Sequence, residues 1–113
     1  MIIMISSQND SLQGVPSLRF GRAPFFIRYD LEGTAWAAHS NAAVNERGGA
    51  GVAASQFAID QKVDAVLSGS FGPNAARVLS EAGIKMYVFD DTYSSVQAVV
   101  DGFVDNLLDE VHH

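Results

Sequence analysis

The chain opens on a continuous apolar run, Ile2 to Ile5, the pattern of a central strand buried on both faces. Ser6 to Pro24 turns polar, with Gly14, Pro16 and Gly21 as breakers. It predicts a long loop, of a length that usually serves function. Phe25 to Leu31 is aromatic and β-branched, and Thr34 to His39 follows after Glu32-Gly33. Two such runs joined by a residue pair ending in glycine predict a hairpin. Asn41 to Gly51 reads as a second loop, rich in small and polar residues.

From Ala50 the period becomes helical, with Val52, Gln56, Ile59 and Val63 on one face and Ala53 and Phe57 beside it. Ala65 to Leu67 is a short apolar strand. Pro73 suits the first turn of a helix, where its missing N–H is not needed, and Gly83 is a natural stop. Between them Ala75, Val78, Leu79 and Ala82 are expected to face inward. Ile84 to Phe89 predicts another strand. Ser94 or Ser95 then caps a last helix, with Val96, Val99, Val100, Phe103, Val104, Leu107 and Leu108 on its apolar face. Asp101, Asp105 and Asp109 recur every fourth residue on the other face, as a solvated stripe does.

This order predicts one α/β domain over residues 1–113, a mixed five-stranded sheet with helices on both faces. The right-handed crossover rule sets the first strand beside Ala65–Leu67 at the centre. Ligands of such sheets bind beyond the carboxyl ends of the strands, where the winding direction changes. Ser6-Ser7-Gln8, Ser68-Gly69-Ser70 and Gly72-Pro73-Asn74 flank that point.

Composition narrows the chemistry. The chain has no cysteine, which removes disulfides and thiolate ligation of zinc or an iron–sulfur cluster by its own residues. A formal charge of −6 argues against nucleic acid as a partner. No apolar run reaches the roughly 18–20 residues of a membrane span. Met1 to Ile5 lacks a basic flank and reads as a strand, not a signal peptide, so the expected setting is the cytoplasm. The charge is uneven: Arg19, Arg22, Arg28 and Arg47 lie in the first half, while Asp90, Asp91, Asp101, Asp105, Asp109 and Glu110 crowd the last quarter.

Gly49-Ala50-Gly51-Val52-Ala53-Ala54 matches a dinucleotide fingerprint in letters, but no strand precedes it and the next strand ends in Ser68-Gly69 without an acid. Ser68 to Asn74 lacks the Lys-Ser/Thr of a P-loop. Both stretches instead place glycines at helix starts, where free N–H groups and the helix dipole favour an anion. Arg19 and Arg22 add planar donor forks suited to carboxylates or phosphates. His39 is the one histidine outside the terminal pair. Two-metal hydrolysis needs carboxylates at strand ends, and Ser6 and Ser68 stand there instead.

Phe20-Gly21-Arg22-Ala23-Pro24, Asn41, Gly49-Ala50-Gly51, Val63 to Leu67, Gly69 with Gly72-Pro73-Asn74-Ala75, and Ala82-Gly83-Ile84-Lys85 occur in an order that resembles the dinitrogenase iron–molybdenum cofactor biosynthesis family. The family comprises NifX-like proteins and the C-terminal domain of NifB. The resemblance implies a three-layer ribonuclease H-like fold and transient binding of an iron–sulfur or iron–molybdenum cluster or its precursor. Relatives often carry a histidine where this chain has Arg19 and another where it has Gly48.

The leading expectation is a non-catalytic carrier of an anionic cluster, with a cluster-assembly protein as a further partner. Its candidate binding residues are Ser6, Arg19, Arg22, Asn41, Gly49, Gly51, Ser68, Gly69, Gly72 and Asn74, and His39 is the candidate metal ligand. The alternatives are an enzyme acting on a small anionic metabolite through Ser6, Ser7, Ser68 or Ser70 with His39 as base, and an interaction module that docks through its last helix.

Overall fold

The computed structural model describes all residues, Met1–His113. Its strands are β1 (Ile2–Ser7), β2 (Phe25–Asp30), β3 (Trp36–Ser40), β4 (Ala65–Ser68), β5 (Lys85–Val88) and β6 (Asp109–Val111). The helices are α1 (Ala50–Asp60), α2 (Pro73–Glu81) and α3 (Val96–Val104), with a 3-10 turn at Phe20–Arg22. The strands form one mixed sheet in the order β3-β2-β1-β4-β5-β6. β1, β4 and β5 are parallel; β2, β3 and β6 run antiparallel to their neighbours. No helix is long and apolar enough to cross a membrane.

Period-two alternation along the central strands divides the core into two layers. Met4, Phe26, Val66 and Met86 point to the side of α1 and α2, together with Phe20 and Leu79. Ile3, Ile5, Ile27, Tyr29 and Leu67 point to the other side, where Val96, Val99 and Val100 of α3 cover them. The central strands β1 and β4 are thus buried on both faces, as their unbroken apolar runs require.

Three expectations need correction. The sheet has six strands, not five, because Asp109–Val111 pairs with β5 at the edge. This segment is acidic and only three residues long, so it lacks a strand signature of its own. The last helix stops at Val104, short of Leu107 and Leu108. Asn106 adopts φ +61°, its N–H donates to the Phe103 carbonyl at 3.1 Å, and the Leu107 N–H donates to Gly102 at 2.9 Å. That paired closure is a Schellman stop with asparagine in place of the usual glycine. It leaves Leu107 exposed.

The third correction concerns the inner face of α1. Ala50, Ala54, Ser55 and Ala58 are buried and Phe57, Ile59 and Val63 pack against the core, whereas Val52 and Gln56 are exposed. A larger side chain does not fit on that face, since a Cβ on Gly51 would already lie 3.2 Å from the Ala75 Cβ of α2. Close helix approach, rather than bulk, sets which face turns inward. α2 behaves similarly: Ala75, Ala76 and Leu79 are buried, and Ala82 is exposed.

Candidate functional site: a cationic cleft walled by glycine

The Gln8–Arg19 segment is anchored on the ends of β1 and β4. Ser6 Oγ donates to the Ser17 carbonyl at 2.7 Å and lies 2.8 Å from Ser68 Oγ in a hydroxyl–hydroxyl bond. Gly69 lets the segment press onto the strand end, because a Cβ there would meet Leu18 Cα at 2.6 Å and the Leu18 carbonyl at 2.7 Å. Ser70 Oγ donates back to the Leu18 carbonyl at 2.8 Å, and the Phe20 N–H donates to the Ser70 carbonyl at 3.2 Å.

Beyond this anchor the 3-10 turn packs against the start of α1. A Cβ on Gly21 would sit 2.9 Å from both Cα and N of Gly51, so two backbones meet with no side chain between them. The Phe20 ring locks the turn into the core, 5.5 Å from Phe26 and 5.3 Å from Phe71 between centroids. Asn41, buried, ties the next loop to the turn. Its amide Nδ2 donates to the carbonyls of Gly21 (3.2 Å) and Ala23 (2.9 Å), and its Oδ1 accepts from the Ala43 N–H at 3.0 Å.

These contacts shape an open cleft of about 350 Å³. One wall is the 3-10 turn with Arg19 and Arg22; another is Gly48 to Gly51; the third is Ser70 to Gly72. Arg19 and Arg22 are the only charged residues in the lining, and neither forms an ion pair. Arg22 is partly committed, since its Nη1 donates to the carbonyls of Val44 (3.0 Å) and Glu46 (2.6 Å). Its Nε and Nη2 make no hydrogen bond within the protein, and the Arg19 guanidinium is exposed.

Two helix starts open here. α1 begins after Gly49, at φ +74°, and α2 begins after Gly72; neither cap residue supplies a side-chain acceptor. Their first-turn N–H groups therefore lack the usual internal partner and carry the positive end of the helix dipole. Positive φ at both Gly48 and Gly49 is what turns the chain into α1 at this angle, a conformation costly for other residues. A smaller recess of about 150 Å³, lined by Gly49, Gly51, Gly72 and Asn74 among others, continues between the two helix starts.

Of the candidate residues, Arg19, Arg22, Gly49, Gly51 and Gly72 line the cleft, and Asn74 lines the adjoining recess. Ser6, Asn41, Ser68 and Gly69 lie behind it, where Ser6 and Ser68 are fully buried. His39 is on β3 outside the lining, its ring edge-on to Phe57 at 5.4 Å. No three His, Cys, Asp or Glu side chains converge anywhere in the molecule. Ser7 Oγ donates to the Asn9 carbonyl, so the hydroxyls of Ser6, Ser7 and Ser70 are all engaged internally and none bonds His39. Phe20, Gly21, Gly48, Ala50 and Phe71 also line the cleft, as does Ser70, and none of them is among the candidate binding residues. The doubled glycine before α1 was the available signal for Gly48; nothing in the spacing pointed to the two phenylalanines.

The fold and this cleft define a small mixed α/β protein with an anion-favouring depression beyond the carboxyl end of a central parallel strand. The chain belongs to the dinitrogenase iron–molybdenum cofactor family, whose family model matches residues 1–106. Among solved structures it is similar to the apo form of the orange protein from Desulfovibrio gigas. Identity there is 30%, the TM-score is 0.91, and the match covers 97% of this chain and 92% of that one. It is also similar to a NifB-like protein from Thermotoga, at 29% identity and a TM-score of 0.84, covering 96% and 91% of the two chains. A third structure shares the fold at 21% identity and a TM-score of 0.79, covering 99% and 97%. No curated protein sequence matches the chain significantly.

Proposed function

We propose that this protein is a non-catalytic carrier that holds an anionic iron–sulfur- or iron–molybdenum-type cluster, or its precursor, as exchangeable cargo in the cleft. One observation carries the reading: two uncapped helix starts and two arginines without acidic partners open on a single cleft of an otherwise acidic protein. The family and the NifB-like neighbour support a cofactor-related role. With no cysteine in the chain, the grip is by hydrogen bonds from amides and guanidiniums to the outer atoms of the cargo.

Arg19, Arg22 and the amides of Gly49, Gly51 and Gly72 form the proposed contact set, with Asn74 at its margin. Ser6, Asn41, Ser68 and Gly69 hold that set in place from behind. His39 takes no part in the proposed grip. A carrier of this kind passes its cargo on, so a cluster-assembly protein is the proposed partner and the cytoplasm the proposed setting. We also read the strand order β3-β2-β1-β4-β5 as the ribonuclease H-like arrangement that the resemblance implies.

The test is anaerobic incubation with ferrous iron, sulfide and molybdate, followed by gel filtration, metal analysis and visible spectroscopy. Metal and colour should travel with the protein. Arg19→Ala and Arg22→Ala should each lower retention about tenfold or more, from the loss of a charge-assisted bond worth roughly 1.5–3 kcal/mol. Colourless, metal-free protein after this treatment overturns the proposal.

A further inference from the structure

The two faces of the sheet are unequally covered. α1, α2 and the 3-10 turn pack on one side, while α3 is the only helix on the other. Six strands span roughly 24 Å between outer strand axes, and one helix covers only about 10 Å of that width. The Gln8–Arg19 segment covers ground near the start of α3, where the N–H groups of Val96 and Gln97 donate to Gly14 and Leu12. Toward the β2–β3 hairpin nothing lies alongside α3. A groove of about 370 Å³ runs there, with Tyr29, Leu31, Val100 and Val104 as its apolar floor.

The groove joins a second depression through the shared residues Leu31 and Val104. Val104 is 58% exposed and Trp36, which pairs with Tyr29 and shares its face, is 42% exposed. The charges in the groove are acidic only: Asp101 in the last turn of α3 and Asp105 at its C-terminal cap. Neither takes part in an ion pair. Asp101 accepts from Gln97 Nε2 at 3.0 Å, but no cation faces either carboxylate, and an apolar floor beside such a rim fits one occupant better than others.

We infer that this groove is a docking site for an amphipathic helix of a partner protein, with aliphatic residues laid on Tyr29, Leu31 and Val104 and lysines or arginines facing Asp101 and Asp105. Helix-in-groove recognition reads anchors at i, i+3, i+4 and i+7, and the basic border supplies the charge match. A second copy of this chain is disfavoured as occupant, because two-fold pairing over the groove would bring the same carboxylates together on a protein of charge −6. The groove lies across the sheet from the cationic cleft, so an occupant here leaves that cleft open. The inference stands whether or not the cleft carries a cluster.

The probe is a synthetic helix of about 16 residues, leucine along one stripe and lysine elsewhere, long enough for four turns. A second peptide carries glutamate in place of lysine. Nitrogen-15 chemical-shift mapping on the full chain should show the lysine peptide perturbing Tyr29–Thr34 and Gln97–Asp105, with the cleft amides unmoved. Affinity should fall as salt rises through the range where exposed charges are screened. Val104→Asp should weaken binding about tenfold or more by placing a charge against an apolar stripe. The exposed pair Asp101→Asn with Asp105→Asn, which leaves the apolar floor intact, should weaken it less and flatten the salt response. The glutamate peptide should not bind. Shifts spread over the acidic surface generally, equal binding of both peptides, or unchanged affinity in the folded Asp101→Asn, Asp105→Asn variant overturn the inference. So does sedimentation showing a dimer that Val104→Asp dissociates, which would make a second copy the occupant.

Discussion

Gly21→Ala probes the junction on which the cleft depends. The new methyl carbon would lie 2.9 Å from Cα and N of Gly51 and 3.3 Å from the Ala50 carbonyl carbon. Carbon contacts are comfortable at about 3.5–4.0 Å, so the 3-10 turn and the start of α1 must separate by roughly half an ångström or more. All three opposing atoms are backbone, and no side-chain end can swing aside. Overpacking of this kind costs about 1–3 kcal/mol. In a domain of this size each kcal/mol lowers Tm by about 4 °C, so a fall of about 4–12 °C is expected by calorimetry or thermal circular dichroism. The same separation displaces the Gly51 amide on the cleft wall, so retention of the proposed cargo should fall in parallel. Gly33→Ala is the internal control. Gly33 lies outside the left-handed region, a Cβ there has nothing within 4 Å, and its stability should stay within about 0.5 kcal/mol of the parent. An unchanged Tm for Gly21→Ala, or equal damage from both substitutions, would refute this account of how the wall is built.

Ser6→Ala removes the buried hydroxyl that holds the Ser17 carbonyl and contacts Ser68, and should cost about 1–3 kcal/mol in urea unfolding. Asn106→Gly relieves the left-handed residue that ends α3 and should stabilise the fold by up to about 1 kcal/mol, read from the denaturation midpoint. The Asp90 carboxyl is held below its usual range by the Thr92 hydroxyl and then by the Thr92 N–H. A pKa depressed in the folded state contributes stability above the ordinary carboxylate value, and that contribution is lost as pH falls through the depressed one. Thr92→Val should therefore raise the Asp90 pKa toward its ordinary value in an NMR titration and remove this part of the acid dependence.

Much of the fold was legible because its signals are local. Ile2–Ile5 and Ala65–Leu67 are short, uninterrupted apolar runs, the pattern of strands buried on both faces. Pro73 and Gly83 marked both ends of α2, where Gly83 indeed takes φ +76°. Ser95 caps α3 through a bond from the Ala98 N–H. What failed was information held by partners distant in sequence. The close approach of Gly21 and Ala75 to Gly51 at the start of α1 is invisible in α1's own apolar period, which places Phe57 and Ile59 against the core but Val52 in solvent. β6 exists because β5 offers an edge, and Asp109-Glu110-Val111 alone gives no reason to extend.

The site divides in the same way. Glycines and arginines near helix starts point to a cationic cleft from the sequence alone. Which polar residues would line it was less visible, because serine and asparagine serve equally as ligands and as internal ties. Ser6 and Asn41 direct their hydrogen bonds into neighbouring loops.

Phe20 has one more consequence. Its ring sits between Phe26 and Phe71 with 1% of its surface exposed, and the arginines flank it at one residue on one side and two on the other. The backbone carrying both cations is thereby bolted to the hydrophobic interior instead of floating on a solvent-borne loop. Added electrolyte should weaken the hold on the proposed anionic cargo without rearranging the donors, giving a single smooth decline and no change in the spectrum of any cluster still held.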